Sequence, residues 1–465
     1  MYSHRIIVAK SSRSLRFASS LTANNYKRQT NKYETIIIGG GPIGTSIALH
    51  LAWLRGNGDG VLVIERDCTF KTCSAMLSAG GIRQQFSAKE NIQMSMYGAL
   101  FLKDMERLKV EDEDVPNVQF KENGYLFLGM GAQNIAILEE NNRMQRSCGI
   151  DWMHLVGPKE LSEKFPWLNT NGLEIGSYSS KNEGYFDPWS LVHSMKKKAI
   201  SLGVEFREGN VVGASTETDE SKKNSSDQFR ISKINVENYG GDKKSVVNEL
   251  VADVFVNAAG AWAGKLVDDI ALATSCSEAI TPLPVSPRKR CIFNIHCPGL
   301  LQSKFPVPPI NTPLVIDPSG VYFRPEGGHG KFIAGVSPLA TNDPNCDSVM
   351  ALQSVDHNLF EEIIWPALFE RVPAFAELKV TSSWAGFYEY NTLDQNCIIG
   401  FHTELTNLML CNGFSGHGLQ QSPAAGRAVA ELLTSNDGSF ETIDLRAFAF
   451  DRVVNNKPVF ESGIV

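Results

Sequence analysis

The sequence predicts an α/β fold made of a parallel-sheet nucleotide-binding part and a second, β-rich α+β part. Between Thr35 and Leu54, a run of β-branched residues is followed by a glycine turn and then by a helical apolar pattern. A second apolar strand, VLVIE, ends at Glu65. From Thr281 to Ser383, short strand-like stretches alternate with proline and glycine turns. The first two observations predict the nucleotide-binding part, and the third predicts the β-rich part.

The turn after the first strand has the spacing G-x-G-x-x-G at Gly39, Gly41 and Gly44. The first glycine permits the turn, the second lets a helix N-terminus approach a pyrophosphate, and the third allows close helix–strand packing. Glu65 stands 21 residues after Gly44, where a carboxylate can accept hydrogen bonds from an adenosine ribose. The pattern therefore predicts a Rossmann-type dinucleotide site. Its other expected contacts are Pro42, Ile43 and Arg66.

Two observations favour FAD over a nicotinamide cofactor. No second G-x-G-x-x-G follows, since GMGAQN at Gly129 lacks the last glycine. A reductase with separate FAD and NADPH sites is therefore not expected, and the electrons should come from an organic substrate. Far along the chain, the strand VADVFV leads into NAAGAWAG, where Ala259, Gly260 and Trp262 suit close passage of backbone beside a dinucleotide. Cofactor contacts dispersed in this way are typical of flavoproteins.

Composition excludes several other classes of protein. The chain has 465 residues with 44 Lys or Arg against 51 Asp or Glu, and the resulting charge of −7 argues against nucleic acid as a partner. Nine cysteines without a CxxC pair predict neither a disulfide framework nor a metal site. Thr35–Leu54 has the length of a membrane span, but its three glycines and its proline favour strand, turn and helix. We expect no transmembrane span.

The first 33 residues differ in charge from the rest of the chain. They contain seven Lys or Arg residues, are rich in serine, and include no acid before Glu34. This composition predicts a mitochondrial transit peptide, since such a segment is basic and free of carboxylates. A basic tail without a targeting role is the alternative.

Five motifs together resemble the D-amino-acid oxidase/sarcosine oxidase family of flavoenzymes. They are the G-x-G-x-x-G start, SAGGIR, NAAGAWAG, WAGFYEYNTLD and GFSGHGL, and the resemblance extends from about Glu34 to Leu445. It implies hydride transfer from a carbon next to an amine nitrogen to FAD. It also implies the following organisation: presequence 1–33, FAD-binding part 34–110, 185–275 and 384–465 with the C-terminal tail, and substrate part 111–184 and 276–383.

Longer strings, including EGYFDPWSL and GFSGHGLQQSPAAGRAVAE, resemble a mitochondrial branch of this family. This resemblance implies a flavoprotein needed for assembly of respiratory complex I, on the matrix side of the inner membrane. Complex I subunits or assembly intermediates would then be its partners, and a small amine or amino acid its substrate.

The resemblance also indicates candidate site residues. Arg83 and Arg324 are candidates for binding a substrate carboxylate, with a structural ion pair or a phosphate contact as the alternative for each. Tyr388 could orient an amine, and His417 either faces the flavin or only stabilises its turn. The loop GFSGHGL precedes a helix whose N-terminus can stabilise negative charge on the reduced ring. The remaining expected FAD contacts are Ser78, Gly80, Gly81, Gly386, Asp394, Gly413, Ser415, Gly416, Gly418 and Leu419.

Four positions depart from the family pattern. Gly386 and Ser78 stand near the positions where relatives attach flavin through cysteine or histidine, so noncovalent FAD is expected. Ile333 matches a lysine that activates oxygen, and Gln420 matches a lysine that holds a substrate carboxylate. These departures favour a dehydrogenase over a peroxide-producing amine oxidase. They also keep open a non-catalytic, FAD-stabilised protein that binds complex I subunits.

Overall fold

The predicted glycine turn joins strand β1 (Lys32–Ile38) to helix α1 (Pro42–Arg55) in the computed structural model of the chain. The structure describes residues 31–221, 228–238, 246–274, 277–299, 305–338 and 342–462. A Cβ on Gly44 would lie 1.9 Å from the carbonyl oxygen of Gly39, so only glycine lets α1 pack this closely against the turn. The strand–turn–helix expected from the sequence is confirmed.

One sheet contains the nucleotide-binding turn. In this nucleotide sheet β1 pairs in parallel with β2 and β11, and β8 and β18 extend the parallel order outward. Strand β17 pairs antiparallel with β18 at one edge, and β9 and β10 continue from β11 as an antiparallel extension. These strands are β2 (Val61–Glu65), β8 (Glu205–Glu208), β9 (Asn210–Thr218), β10 (Phe229–Asn238), β11 (Val246–Asn257), β17 (Ile398–Phe401) and β18 (Leu408–Asn412).

The nucleotide sheet is buried on both faces, as its apolar strands require. On β1, Ile37 packs into the cluster that contains α1, whereas Ile36 and Ile38 point to the opposite cluster. Helices pack on both faces of this sheet, and further helices lie elsewhere in the chain. They are α2 (Lys89–Lys103), α3 (Gly131–Ser147), α4 (Pro158–Lys164), α5 (Pro188–Ser201), α6 (Ala263–Leu272), α7 (Trp365–Arg371), α8 (Gly418–Thr434) and α9 (Asp451–Val454).

A second, mostly antiparallel sheet, called here the substrate sheet, has the order β16-β12-β15-β14-β13-β4-β6-β5. One face of this sheet packs against a buried cluster that is rich in aromatic residues and includes Phe293, Phe323 and Phe375. A short pair, β3 (Gly81–Ile82) with β7 (Gly184–Tyr185), lies outside both sheets. The strands of the substrate sheet are β4 (Tyr125–Gly129), β5 (His154–Val156), β6 (Ile175–Ser179), β12 (Val285–His296), β13 (Leu314–Ile316), β14 (Val321–Pro325), β15 (Lys331–Val336) and β16 (Lys379–Asn391).

Two segment boundaries differ from those expected. Strand β16 pairs with β12 from Lys379 to Asn391, with one register shift between Asn294 and Ile295 of β12, so the segment after residue 384 still belongs to the substrate sheet. Lys32 and Tyr33 lie in β1, inside the expected presequence 1–33, and the Tyr33 hydroxyl donates to Glu205 over 2.8 Å. Residues 1–30 lie outside the described residues. Within the described ranges, no helix has the length and hydropathy needed to cross a membrane.

Candidate cofactor and substrate site

A cavity of about 660 Å³ extends from the β1–α1 turn to the substrate sheet. Its walls come from both parts of the fold, and its volume lies in the range usual for ligand sites. We call the part beside β1 and α1 the nucleotide end and the part beside the substrate sheet the substrate end. Ligands in α/β folds usually bind at the carboxyl ends of parallel strands, where the nucleotide end lies.

The nucleotide end begins at the N-terminus of α1. Gly41 is the N-cap, no side chain caps the helix, and its first turn contains no acid. The first-turn N–H groups and the positive end of the helix dipole are therefore open to an anion. A Cβ on Gly41 would meet only the Cys73 Sγ, at 3.7 Å, so the space in front of this glycine is free for a ligand. These features fit a pyrophosphate.

Glu65 lies beside the same turn, at the end of β2. Its carboxylate accepts from the Gly40 N–H over 2.8 Å and from the Asp67 N–H over 2.9 Å, and the residue lines the cavity. Burial raises the pKa of Glu65. A carboxylate with two oxygens has lone pairs left for hydroxyl donors, which fits the ribose role expected from the sequence.

Two further stretches line the cavity, as their glycine- and alanine-rich sequences predict. One stretch contributes Ser78, Gly80 and Gly81, and the other contributes Ala259, Gly260 and Trp262. The Arg66 guanidinium lies 5.3 Å from the centre of the Trp262 ring. Such a pair combines a flat apolar surface with a positive charge.

The N-terminus of α8 faces the cavity between its two ends. His417 is the N-cap, no side chain caps the helix, and its first turn has no acid. Gly416, Gly418 and Leu419 line the cavity here. This second uncapped helix N-terminus gives the cavity wall a positive potential, and the same wall borders the substrate end. The sequence predicts this feature, because positive potential stabilises negative charge on a reduced flavin.

Side chains from several strands form the substrate end. A Cβ on Gly335 would lie 2.4 Å from the Tyr322 hydroxyl oxygen, so glycine on β15 makes room for this phenol on the neighbouring strand. Burial raises the pKa of Tyr322 and of Tyr125, so both phenols stay neutral at physiological pH. Tyr388 on β16 lines the same space. The substrate end is therefore largely aromatic, with Ile292, Leu314 and Ile316 as its aliphatic members.

Arg83 supplies a cation to this aromatic space. Its guanidinium lies 4.8 Å from the Phe86 ring centre and 5.1 Å from that of Phe127, and its Nη2 is 3.1 Å from the His417 Nε2. Burial and the Arg83 charge hold the pKa of His417 well below its usual range. The imidazole is therefore neutral, and because arginine only donates, Nε2 is the acceptor and Nδ1 carries the hydrogen. Arg83 forms no ion pair with a carboxylate in the described part of the chain.

A second arginine, Arg290 on β12, lines the cavity but is already neutralised. Its guanidinium makes two hydrogen bonds to Asp343, of 2.6 and 2.8 Å, and lies 4.6 Å from the Tyr388 ring centre. Both side chains of the ion pair are nearly buried, at 10% and 5% exposure. The pair ties a loop to the substrate sheet and holds the Tyr388 ring in place.

Arg324 occupies a different environment from the one expected. Its guanidinium donates to the carbonyl oxygens of Ala79 and Pro325 and pairs with Glu326, and it does not line the cavity. Arg324 therefore fits the structural alternative and not the carboxylate-binding role, because its Nε and Nη1 donate to protein oxygens and its side chain does not line the cavity.

Three expected FAD contacts also lie behind the cavity wall. Asp394 pairs with Arg452 and accepts from the Val459 N–H, which ties the C-terminal tail to the nucleotide sheet. The Ser415 Oγ accepts from the Asn391 N–H over 3.0 Å, and the Gly413 N–H donates to Glu389. These residues shape the loop before α8 from behind and do not border the cavity.

Gln420 and Ile333, which match lysines of the family, are uncharged here, and their surroundings also differ from those expected. Gln420 lines the cavity, but its Oε1 accepts from the Arg83 backbone N–H over 2.7 Å. Ile333 is buried on β15 opposite Arg324 and is not among the residues that line the cavity.

Two buried carboxyl groups, those of Glu183 and Glu389, were not predicted from the sequence. Burial raises the pKa of Glu183 and of Glu389 to about 8. Glu389 lines the cavity and accepts from the Gly413 and Phe414 N–H groups, whereas Glu183 lies behind Arg83. A carboxyl in strand-like or loop sequence is usually exposed, so only the burial of these two distinguishes them. Tyr125, Tyr322 and Arg290 were missed for a related reason, since each lies in an ordinary strand.

The cavity thus brings together most of the predicted site residues from all along the chain. Five predicted residues do not line the cavity: Gly44, which packs against the Gly39 carbonyl, and Arg324, Asp394, Gly413 and Ser415. The described residues contain no cluster of metal-binding side chains. The predicted residues in the wall are Gly39, Gly41, Pro42, Ile43, Glu65, Arg66, Ser78, Gly80, Gly81, Arg83, Ala259, Gly260, Trp262, Gly386, Tyr388, Gly416, His417, Gly418 and Leu419.

A parallel sheet with this glycine turn, joined to a second ligand space, defines a dinucleotide-binding protein with a substrate pocket. The chain belongs to the FAD dependent oxidoreductase family, whose sequence model matches residues 34–432. FAD is therefore its cofactor, and the resemblance predicted from the motifs is confirmed.

Relatives and solved structures agree with this assignment. The chain is 43% identical over 437 residues to FAD-dependent oxidoreductase domain-containing protein 1 of Xenopus laevis, covering 93% of this chain and 85% of the relative. It is 25% identical to human mitochondrial dimethylglycine dehydrogenase, covering 89% of this chain and 44% of that protein. The crystal structure of L-proline dehydrogenase from P. horikoshii matches with a TM-score of 0.72 at 25% identity, covering 92% and 99% of the two chains.

Proposed function

We propose that this chain is an FAD-dependent dehydrogenase that oxidises the C–N bond of an amino acid or of a secondary amine that carries a carboxylate. One observation carries the proposal. The Arg83 guanidinium is buried, makes no ion pair with a protein carboxylate in the described residues, and lines a cavity that is continuous with the FAD site. A buried cation without a counter-ion is costly, so a bound carboxylate is the partner it lacks.

FAD, when bound, accepts a hydride from the carbon next to the amine nitrogen. The chain's own residues bind and orient the substrate for this step. Arg83 holds the carboxylate, and the Tyr388 phenol orients the amine. The neutral His417 keeps the Arg83 guanidinium in place by accepting a hydrogen bond from it over 3.1 Å. The uncapped N-terminus of α8 stabilises negative charge that develops in this wall.

The names of two matched proteins support a C–N substrate. L-proline dehydrogenase and dimethylglycine dehydrogenase are each named for an amino acid with a substituted nitrogen. Both are also named as dehydrogenases. The aromatic substrate end favours an apolar substituent beside the amine and carboxylate.

The proposal is tested by anaerobic reduction. Purified holoprotein is mixed with L- and D-amino acids, N-methyl amino acids and cyclic secondary amino acids, and the visible flavin absorption is followed. Loss of this absorption with one of these classes supports the proposal. If none of them reduces a flavin that dithionite readily reduces, the proposal fails.

We propose further that FAD is held noncovalently. Gly386 lines the cavity where relatives carry a cysteine, and the cysteine and histidine among the described lining residues are Cys73 and His417. Cys73 lies beside Gly41 at the pyrophosphate, and burial raises its thiol pKa to about 11. Acid precipitation should leave the yellow colour in the supernatant. Colour retained in the washed pellet would contradict this expectation.

We propose a mitochondrial location, in the matrix, with residues 1–31 as a removable presequence. The support is the basic, carboxylate-free composition of this segment and the start of β1 at Lys32. Chains lacking residues 1–31 should not be imported by isolated mitochondria, whereas the full chain should be. Equal import of both would place the targeting signal elsewhere.

A role in complex I assembly is proposed from the resemblance, with or without catalysis. Gln420 binds backbone in place of holding a substrate, which favours the non-catalytic form. Cells lacking this protein can be complemented with an Arg83→Met variant that retains FAD. Restored complex I would indicate that catalysis is dispensable, and failure with normal protein levels would connect assembly to the substrate end. No change in complex I in the unrescued cells would contradict the assembly role.

A further inference from the structure

Glu183 lies directly behind the segment that presents Arg83 to the cavity. Its side chain is 0% exposed. The carboxylate accepts from the Gln84 N–H over 2.5 Å and from the Gln85 Nε2 over 3.0 Å, so it contacts both residues that follow Arg83. The Gln85 backbone N–H also donates to this carboxylate, so all three donors are uncharged amides, and Glu183 does not itself line the cavity.

We propose that Glu183 is a positioning residue whose protonation sets how strongly the substrate end binds an anion. This inference rests on the proposed function, since it takes Arg83 as the anion-binding group. With Glu183 neutral, the positive charge of Arg83 acts fully on the cavity. With Glu183 ionised, its negative charge opposes the ligand's own charge, and binding weakens.

Among the titratable groups that face Glu183, this carboxyl is the one whose charge changes near pH 8, whereas Glu389, whose pKa burial also raises to about 8, lies in the cavity wall. Burial raises the pKa of Glu183 to about 8, and Arg83 is the cation that limits the rise. Tyr125 on β4 and Tyr178 on β6 also face it, and burial raises both phenol pKa values, so they remain neutral. The Lys181 ammonium is occupied by the Trp152 ring, 4.1 Å from its centre.

Anion binding and protonation must reinforce each other. An anion at Arg83 cancels the charge that holds the Glu183 pKa down, so the carboxyl takes up a proton more readily when the site is filled. By reciprocity, a protonated Glu183 raises anion affinity by the same factor. If the bound anion raises the pKa by about one unit, the affinity falls about tenfold as the pH rises through 8 to above 9.

The test measures binding without turnover. Acetate is titrated into oxidised holoprotein from pH 6 to 9.5, and the change in the visible flavin spectrum gives its Kd. We expect the Kd to rise about tenfold through this range in the wild-type protein and clearly less in Glu183→Gln, where Glu389 is the cavity carboxyl that still ionises. Glu122→Gln is the matched control, since Glu122 accepts from the Asn182 N–H of the same turn but is 35% exposed. It should keep the wild-type dependence.

A second measurement compares the wild-type protein with Glu389→Gln, which removes the cavity-lining carboxyl of similar pKa and keeps Glu183, in case Glu183→Gln does not fold. Acetate added in weak buffer near pH 8 should cause net proton uptake in both proteins. Absence of uptake by either protein, or an equal pH dependence in Glu183→Gln, overturns the role of Glu183 while leaving anion binding intact. Absence of acetate binding at every pH overturns the role of Arg83 and both proposals with it.

Discussion

The two ends of the cavity are built from different parts of the polypeptide. The nucleotide end is formed mainly by backbone N–H groups and glycines of the β1–α1 turn. Gly41 leaves open space in front of the uncapped helix N-terminus. At the substrate end, side chains converge from residues as distant in sequence as Arg83 and Tyr388. Phosphate binding needs a local backbone shape, whereas substrate binding needs several strands in register.

The comparison predicts that substitutions at the two ends fail in different ways. A change at the nucleotide end should remove FAD while leaving the fold. A change at the substrate end should alter stability or ligand binding while leaving FAD. Five single substitutions test this, beginning with the largest effect.

Gly41→Val should abolish FAD binding. A Cβ here meets only the Cys73 Sγ at 3.7 Å, so the protein tolerates the side chain, but the branched group occupies the space of the pyrophosphate. We expect FAD affinity to fall at least about 100-fold, with a loss of stability of only about 1 kcal/mol in the apoprotein. Flavin content and apoprotein melting are measured together.

Gly44→Val is the contrasting variant. Its Cβ would lie 1.9 Å from the Gly39 carbonyl oxygen, so the apoprotein itself should fail to fold. The contrast between the two variants would be contradicted if Gly41→Val binds as much FAD as the wild-type protein, or if both variants unfold to the same extent. Either result would show that Gly41 does not provide ligand space while Gly44 provides packing space.

Asp343→Asn should destabilise the substrate end. It leaves the nearly buried Arg290 guanidinium without its counter-charge, which costs about 3 kcal/mol. Urea unfolding of the holoprotein measures the loss. The double variant Arg290→Met/Asp343→Leu removes both charges and should recover most of the stability. Equal losses in the single and double variants would show that the pair is not coupled.

Arg83→Met should weaken carboxylate binding by about 2 kcal/mol, which corresponds to a Kd about 30-fold higher. The methionine keeps an apolar chain between the Phe86 and Phe127 rings, so the fold and FAD content should be unchanged. Acetate titration of the oxidised variant gives the Kd. An unchanged acetate Kd would move the anion site away from Arg83.

Reoxidation by air should give the smallest effect. Reduced protein should react slowly with O₂, and Ile333→Lys should raise the rate no more than about threefold. Ile333 does not line the cavity and pairs with Arg324, so a new cation there lies behind the wall and adds little to the charge that Arg324 already supplies. Stopped-flow mixing with aerated buffer measures both rates after flavin contents are matched. Fast reoxidation of the wild-type protein would favour an amine oxidase.

The same comparison explains what could be predicted from the sequence. The turn from Gly39 to Gly44, Glu65 and NAAGAWAG were predictable because each is a local pattern tied to one ligand shape. The part of the cavity wall around Ser78 and Gly386 was also predicted from local motifs. The α/β division was predictable from periodicity, although β16 runs farther into the last segment than expected, because its pairing with β12 is not visible in the residues themselves.

The substrate end could be predicted only in part. Arg83 and Arg324 both lie beside glycine- or proline-rich turns, and nothing local distinguishes the cation that faces the cavity from the one held by Ala79, Pro325 and Glu326. The pairing of β14 with β15 decides the space available to Tyr322, and burial decides the protonation of Glu183. Both properties depend on tertiary packing.

One measurement tests the central claim most directly, namely that an FAD site and a carboxylate-binding substrate site share one cavity. Holoprotein is mixed anaerobically with N-methyl amino acids and, in parallel, with the N-methylamines that lack only the carboxylate. The account predicts that the amino acids bleach the flavin at least about 30-fold faster at equal, subsaturating concentration, and that Arg83→Met removes most of this difference. Equal bleaching by both members of a pair in the wild-type protein, or no bleaching by either, would contradict it.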